Sequence, residues 1–287
     1  MTTEQRSAAG GRVPFRAPEP RVPDTVSDVL ADACRAAVTG VNRAWDTWDR
    51  AGLVQTVRTG ADGTPTYRID EIVEDAIAAT AAAHGVNLLS EELGLVDRGS
   101  GVTMVVDPLD GSANAAAGVP LSCFSGALYV DGELAEGLIC WLEQGHCVAA
   151  RAGEPVPYRT SGATALTGAA VSMLRPKRHA GGDSTDAWLR VAGRAERVRI
   201  LSSSCLESLL VAEGSIDAFA DPGSRTHRLV DLAAAALIVP AAGGAVVDVH
   251  GSPLELDTDL TRRWSGVVAA TPQLAEELVE AIASSPR

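Results

Sequence analysis

The chain has 287 residues, 46% hydrophobic and 21% charged, a globular balance that excludes wholesale disorder. Lys plus Arg number 24 against 37 Asp plus Glu, a net charge of −13 that opposes binding to nucleic acid or anionic lipid and leaves carboxylates to spare for a hard divalent cation. The N-terminus lacks the apolar core of a secretory signal, and the longest apolar stretch, 233–249, is interrupted by Pro240, Gly243, Gly244 and Asp248, so a soluble, cytoplasmic protein is expected.

Residues 1–23 carry Gly10, Gly11, Pro14, Pro18, Pro20 and Pro23 without hydrophobic periodicity and are expected to form a flexible tail. From residue 24 to 287 one folded domain is expected, in two fused lobes of approximately 24–195 and 196–287. Val26, Leu30, Ala33, Ala37, Val41, Trp45 and Trp48 recur at three- and four-residue steps and predict a long amphipathic helix with Asp24 or Thr25 as its cap. A turn at Gly60 to Gly63 precedes a second helix over 69–83. Short apolar runs then predict strands at 86–89, 102–106, 124–130, 135–142 and 146–150, with Asp131-Gly132 as a hairpin turn. The second half alternates strand (198–201), helix (204–213), strand (217–220), helix (229–241), strands (245–249 and 264–269), and a closing helix announced by Thr271-Pro272. Hairpins mixed with helical crossovers indicate a layered α/β (α+β) architecture. Cys34, Cys123, Cys140, Cys147 and Cys205, an odd number with no CxxC pair, are expected as buried small apolar residues in a reducing compartment.

The chemistry concentrates in Val105-Val106-Asp107-Pro108-Leu109-Asp110-Gly111-Ser112. A strand delivers two carboxylates and turns at Gly111 into a helix start, and Pro108 restricts the turn so that Asp107 and Asp110 can share a cavity. The amides of Gly111 and Ser112 would take an anion there. Two acids beside an anion site call for a bridging cation, and Mg²⁺ held by carboxylates and a substrate phosphate is the natural solution. Glu91-Glu92, Asp70 and Asp231 are acids that could complete the site. Taken alone, Asp70 and Asp231 are more simply helix caps and Glu91-Glu92 a solvated edge. Among the cations, Arg175, Lys177, Arg178, Arg199, Arg225 and Arg228 stand out; individually each is more simply surface charge, Arg228 excepted. His227 is the one histidine expected near a pocket.

Several of these segments occur together and in order: Gly63-Thr64-Pro65-Thr66 before Ile69-Asp70, Ser90-Glu91-Glu92, Asp107 to Ser112 with Asn114, Gly118 and Pro120, and Asp231-Leu232-Ala233-Ala234 before Gly243-Gly244. With them the chain resembles the inositol monophosphatase and fructose-1,6-bisphosphatase superfamily, the lithium-sensitive, metal-dependent phosphomonoesterases. In motifs it is most similar to the archaeal-type dual-specificity members. The resemblance implies a layered α-β-α-β-α sandwich, commonly a homodimer, over the whole chain after residue 23. It implies Glu91, Asp107, Asp110, Asp231 and the carbonyl of Leu109 as ligands of two or three Mg²⁺, with Mn²⁺ as a substitute. Asp70 and Ser112 would orient the attacking water, with Glu91 also in the catalytic set. Asp110, Gly111, Ser112, Arg199, Arg228 and Asp231 would contact substrate. The chain departs from many relatives at Val230, at Ala115 and in the loop 222–227, all of which shape the part of the pocket that receives the alcohol. The expected activity is that of a phosphoric monoester hydrolase acting on a small phosphorylated polyol, sugar or nucleoside. A dedicated nucleotide or histidinol-phosphate phosphatase is an alternative, and a catalytically weak regulatory or binding member of the fold is an alternative of another class.

Overall fold

A computed structural model describes residues 11–179 and 182–284. Helix α1 (Asp28–Thr47) buries Leu30, Ala33, Cys34, Ala37, Val41, Ala44 and Trp45, the stripe its periodicity predicts. It begins at Ser27 rather than at 24 or 25 because the Val26 N–H bonds the Pro23 carbonyl at 3.0 Å and closes a turn first. The short α2 (Arg50–Leu53) is capped by Asp49, whose side chain accepts from the Gly52 N–H at 2.8 Å. The hairpin β1 (Thr56–Thr59) and β2 (Pro65–Tyr67) leads into α3 (Arg68–Ala83). Helices α1 and α3 cross at Gly40, where a Cβ would stand 3.0 Å from the Cα of Val73.

These helices cover one face of a six-stranded sheet made of β3 (Asn87–Ser90), β4 (Gly94–Val96), β5 (Val102–Asp110), β6 (Cys123–Val130), β7 (Glu133–Trp141) and β8 (His146–Arg151), in the order β4-β3-β5-β6-β7-β8. Only β3 and β5 run parallel. Strand alternation divides the apolar residues between two cores: Leu88, Met104, Val106, Leu138 and Cys140 face α1 and α3, while Leu89, Val105, Ala127, Ile139 and Val148 face the opposite way. Helix α4 (Ser112–Ala117) joins β5 to β6.

The second sheet contains β9 (Ala170–Met173), β12 (Arg197–Arg199), β13 (Ala218–Ala220), β14 (Ala245–Asp248) and β15 (Gly266–Ala269), in the order β12-β9-β13-β15-β14. A small pair, β10 (Arg178–His179) with β11 (Gly182–Asp183), precedes α5 (Thr185–Ala192). Helices α6 (Ser204–Ala212), α7 (Leu229–Leu232) and α8 (Ala235–Ala241) fill the space between the sheets, with Leu206, Leu209, Leu232, Ile238 and Val239 packed between Ile139 on one side and Phe219 and Val268 on the other. On the far face, α5 and α9 (Pro272–Ala283) cover Ala218, Ala220, Val267 and Ala269. The five layers are therefore α-β-α-β-α, as expected.

Three further boundaries differ from expectation. The predicted tail lies partly outside the described residues (1–10), but 11–23 is docked. Val13 and Ala17 are buried and Phe15 meets Trp45 edge-on with ring centroids 5.2 Å apart, because Val13, Phe15 and Ala17 alternate toward α1 in an extended chain that its prolines favour. The lobes divide between β8 and β9 rather than near 195, since β9 sits inside the second sheet. The helix predicted over 229–241 is two, joined by Ala233 and Ala234, which keep helical torsion angles.

Asn42 pins the docked segment by two bonds to Ala17, accepting from its N–H at 2.9 Å and donating to its carbonyl at 2.9 Å. Asn42→Ala strands two buried backbone groups, and urea denaturation is expected to show a loss of about 1–3 kcal/mol. An unchanged midpoint would show that the segment adds nothing to the fold.

Candidate metal centre

Asp107 and Asp110 are three residues apart on one strand, a spacing that would ordinarily point them to opposite faces. The ladder between β5 and β6 prevents this: Asp107 pairs with Ser125 and Asp110 with Cys123, so β5 carries one residue more than its partner between the two rungs. Pro108, which cannot donate to the ladder, sits within the bulge. Both carboxylates thus face the middle helical layer. Gly111 follows at φ 81°, and a Cβ there would stand 2.7 Å from the Leu121 carbonyl oxygen, so only glycine turns the chain into α4.

The middle layer meets these acids with helix starts. Asp110 Oδ2 accepts from Ser203 Oγ at 2.7 Å and from the Cys205 N–H of α6 at 2.7 Å, with Cys123 Sγ at 3.6 Å. Asp231, in the first turn of α7, accepts from the Arg228 N–H at 2.6 Å. Glu91 enters from the turn between β3 and β4, and carboxylate oxygens of Glu91, Asp107 and Asp231 lie within 4.8 Å of one another. Asp70, in the first turn of α3, accepts from the Tyr67 N–H at 3.2 Å. Asp70 and Asp231 both cap their helices, and Asp231 is also one of the converging acids. Ser112 Oγ donates to the Leu109 carbonyl at 2.9 Å and interacts with Asp70.

Four further groups hold this arrangement, and of these only Glu92 stood out in the sequence, as an acid that could complete the site. Glu74, fully buried, accepts through Oε1 from the backbone N–H groups of Glu92 and Leu93, each at 3.1 Å, and from Ser90 Oγ, clamping the turn that aims Glu91. Arg58 bridges Glu74 Oε2 at 2.7 Å and the Glu92 carbonyl at 3.0 Å. Glu92, the neighbour of Glu91, turns away to accept from Thr66 Oγ1. Asp62, buried in the turn before β2, accepts from Arg228 Nη1 at 2.7 Å. The only sequence signal for Glu74 was its place one turn beyond Asp70 on the helix face that packs toward the sheet.

Burial and mutual repulsion set the electrostatics. Burial, then the nearby Glu91, pushes Asp107 well above the usual carboxylate range; burial also raises Asp110, against the Ser203 hydrogen bond. Glu91 is pushed up to about 8 by burial, in spite of Arg228. Asp70 is pushed up to about 7 by burial, with the Ser112 hydroxyl working against it. Of the acids at this centre Asp231 is the one lowered: burial works to raise it, but the charge and hydrogen bonds of Arg228, with His227 nearby, together outweigh that burial. Beside these acids opens a cleft of about 240 Å³ lined by Asp110, Arg175, Lys177, Thr226, Arg228 and Asp231 among others. His227 also borders it; its Nδ1 accepts from the Gly266 N–H at 3.1 Å, so Nε2 carries the proton and donates to Ser204 Oγ at 3.0 Å. Arg199, expected to contact substrate, does not line this cleft: it ends β12 at the sheet edge, and its carbonyl accepts from Ser172 Oγ at 3.3 Å.

The donor set is all oxygen, from crowded carboxylates whose pKa values are raised by burial first and by repulsion from neighbouring acids second. That is the chemistry of a hard divalent cation such as Mg²⁺. The five cysteines are free and buried, two of them packed against Asp110 rather than directed to the trio of acids.

A pH dependence follows. Between the ordinary carboxylate range and about 7 for Asp70 or about 8 for Glu91, the folded chain holds protons that the unfolded chain releases. In chelator, stability should therefore rise as pH falls from 8 to 6. In saturating Mg²⁺ the trend should weaken or reverse, since metal ligands must be deprotonated. Thermal melts in both buffers check this, and parallel curves would contradict it.

The inositol monophosphatase family profile matches residues 23–287. A fructose-1,6-bisphosphatase/inositol-1-monophosphatase of Thermococcus kodakarensis is 31% identical, with 81% of this chain and 88% of that protein covered. One of the same description from Methanothermobacter thermautotrophicus is 32% identical, covering 79% and 87%. A solved inositol monophosphatase–fructose 1,6-bisphosphatase superposes with a TM-score of 0.70 at 26% identity, over 81% of this chain and 92% of that one. Layer order, acid placement and these likenesses agree, and the chain belongs to the inositol monophosphatase family.

Proposed function

We propose that the protein is a Mg²⁺-dependent phosphomonoesterase of a small phosphorylated sugar or polyol, with Mn²⁺ as a substitute ion, working as a homodimer in the cytoplasm. The observation that carries this is the convergence of Glu91, Asp107 and Asp231 beside Asp110 and the Ser112–Asp70 pair. The names of the relatives make inositol monophosphate and fructose 1,6-bisphosphate the first substrates to consider. None of the described helices is long and apolar enough to cross a membrane.

Glu91, Asp107, Asp110, Asp231 and the Leu109 carbonyl would hold the divalent ions. When bound, these neutralise the phosphate dianion, acidify water and stabilise the departing alkoxide. The chain supplies the rest. Ser112, between Asp70 and the Leu109 carbonyl, has a hydroxyl that can donate a hydrogen bond to either, leaving its oxygen to accept a proton from an attacking water as it passes its own to Asp70. Asp70, poised at about 7, can take up that proton near neutral pH. Lys177, held by Thr226 Oγ1 at 2.9 Å, and Arg175 line the cleft and would attract a second anionic group of the substrate.

Phosphate release would be followed with and without Mg²⁺ on inositol 1-phosphate, fructose 1,6-bisphosphate, histidinol phosphate, adenosine nucleotides and simple sugar phosphates. Selective, Mg²⁺-dependent release from a sugar or polyol phosphate is expected. Asp110→Asn should lower turnover by more than about 100-fold, beyond the usual effect of losing a supporting residue around a metal. Ser112→Ala should lower kcat by about 10²–10⁴-fold with little change in KM. Near-normal turnover in either variant would remove that residue from the mechanism. Silence across the panel with Mg²⁺ bound would favour the regulatory alternative.

A further inference from the structure

The guanidinium of Arg228 is threaded among the acids of the centre. Nε donates to Asp231 Oδ2 at 3.1 Å, Nη2 to Asp231 Oδ1 at 2.9 Å, and Nη1 to Asp62 Oδ2 at 2.7 Å and to Glu91 Oε1. Its side chain is only 14% exposed. A guanidinium has five N–H groups, and these bonds engage four of them. Two of its three acid partners, Glu91 and Asp231, belong to the trio with Asp107 whose oxygens converge within 4.8 Å.

Those bonds set a conflict. Asp231 presents both oxygens to the guanidinium fork, and Glu91 presents one. A divalent cation taking the same oxygens would stand against a full positive charge buried with it, where little water screens the repulsion. Asp62 offers a way out, because it bonds Arg228 but lies outside the trio and is steadied separately by the Thr64 N–H at 2.7 Å and by Arg263. The Arg228 backbone N–H caps Asp231 whatever its side chain does. The side chain also borders the cleft that Arg175 and Lys177 line, where an anion would be received.

We propose that Arg228 is a tethered counter-ion that exchanges with the divalent metal: metal binding displaces its guanidinium from Glu91 and Asp231 toward the cleft, where it meets the phosphate of the substrate. The inference rests on the metal-centre reading and adds an order of events to it. Arg228 holds the acids together and lowers metal affinity until the ion arrives, and phosphate, by engaging the displaced guanidinium, tightens the metal in return. Metal and phosphate binding are then coupled through one side chain, and the coupling is reciprocal.

The test is calorimetric titration of Mg²⁺ into the full-length protein, alone and with inorganic phosphate, together with melting in EDTA. The variants are Arg228→Met, which keeps length without charge, and Arg228→Lys, which keeps charge without the fork. Arg228→Met is expected to bind Mg²⁺ at least about fivefold more tightly than the wild type, at the lower end of typical coupling between sites. It should melt at a lower temperature in EDTA and lose most of the phosphate enhancement. Arg228→Lys should lie between, which keeps the test available if the Met variant does not fold. Unchanged or weaker Mg²⁺ binding in whichever variant folds would overturn the exchange and leave Arg228 as a brace for the acids. Asp107→Asn separates the two readings: if it binds Mg²⁺ like the wild type, the metal centre itself is misplaced, whereas lost binding there with unchanged affinity in the Arg228 variants sinks only the exchange.

Discussion

Buried negative charge is the constraint around which the molecule is arranged. Asp107 and Asp231 are almost inaccessible, Glu91 lies beside them, and burial, with repulsion among the acids added to it, raises the pKa values of Glu91 and Asp107 well above those of carboxyls in water. Such a cluster survives only where backbone amides, hydroxyls and a cation answer it. The Cys205 amide, the Ser203 hydroxyl and the Arg228 fork do so from the middle layer, and Glu74 and Arg58 fix the turn from behind. Each element start that reaches the centre brings a donor with it.

That need accounts for the five layers. A single sheet with helices on one face could present Asp107 and Asp110, but nothing would lie across from them. Placing α6 and α7 between two sheets brings two helix N-termini over the end of β5 while burying Leu206, Leu209 and Leu232 in a core shared by both lobes. Asn114 ties the lobes at the same point, donating to the carbonyls of Leu121 and Leu201 at 2.9 Å each. The apolar core thus holds the electrostatically costly part in register.

Much of this was legible in the sequence, for identifiable reasons. Asp107 and Asp110 stand beside a proline and a glycine that announce a turn, Thr271-Pro272 announces α9, and the stripe from Leu30 to Trp45 announces α1. The candidate metal acids and the family resemblance came from the same short runs. What was not legible depends on residues distant in the chain. Asp62 is 166 positions from Arg228, and Glu74 is 18 from the amide it holds, so neither carries a local signature. The docking of 11–23 was missed because three alternating apolar residues among prolines look like composition rather than pattern. Arg199 was placed near substrate by its neighbours in sequence, but the strand that carries it ends on the far side of β9.

The bulge in β5 also has an evolutionary meaning. Because the extra residue in β5 is what keeps Asp107 and Asp110 on one face, a single-codon insertion in β6 between Cys123 and Ser125 would match it, restore regular pairing and leave the two carboxylates on opposite faces of the sheet. Sheet and core would persist, and the chemistry would not. Descendants of this fold can thus shed catalysis by a change of parity in one strand, a route by which non-enzymatic members could arise without passing through an unfolded ancestor.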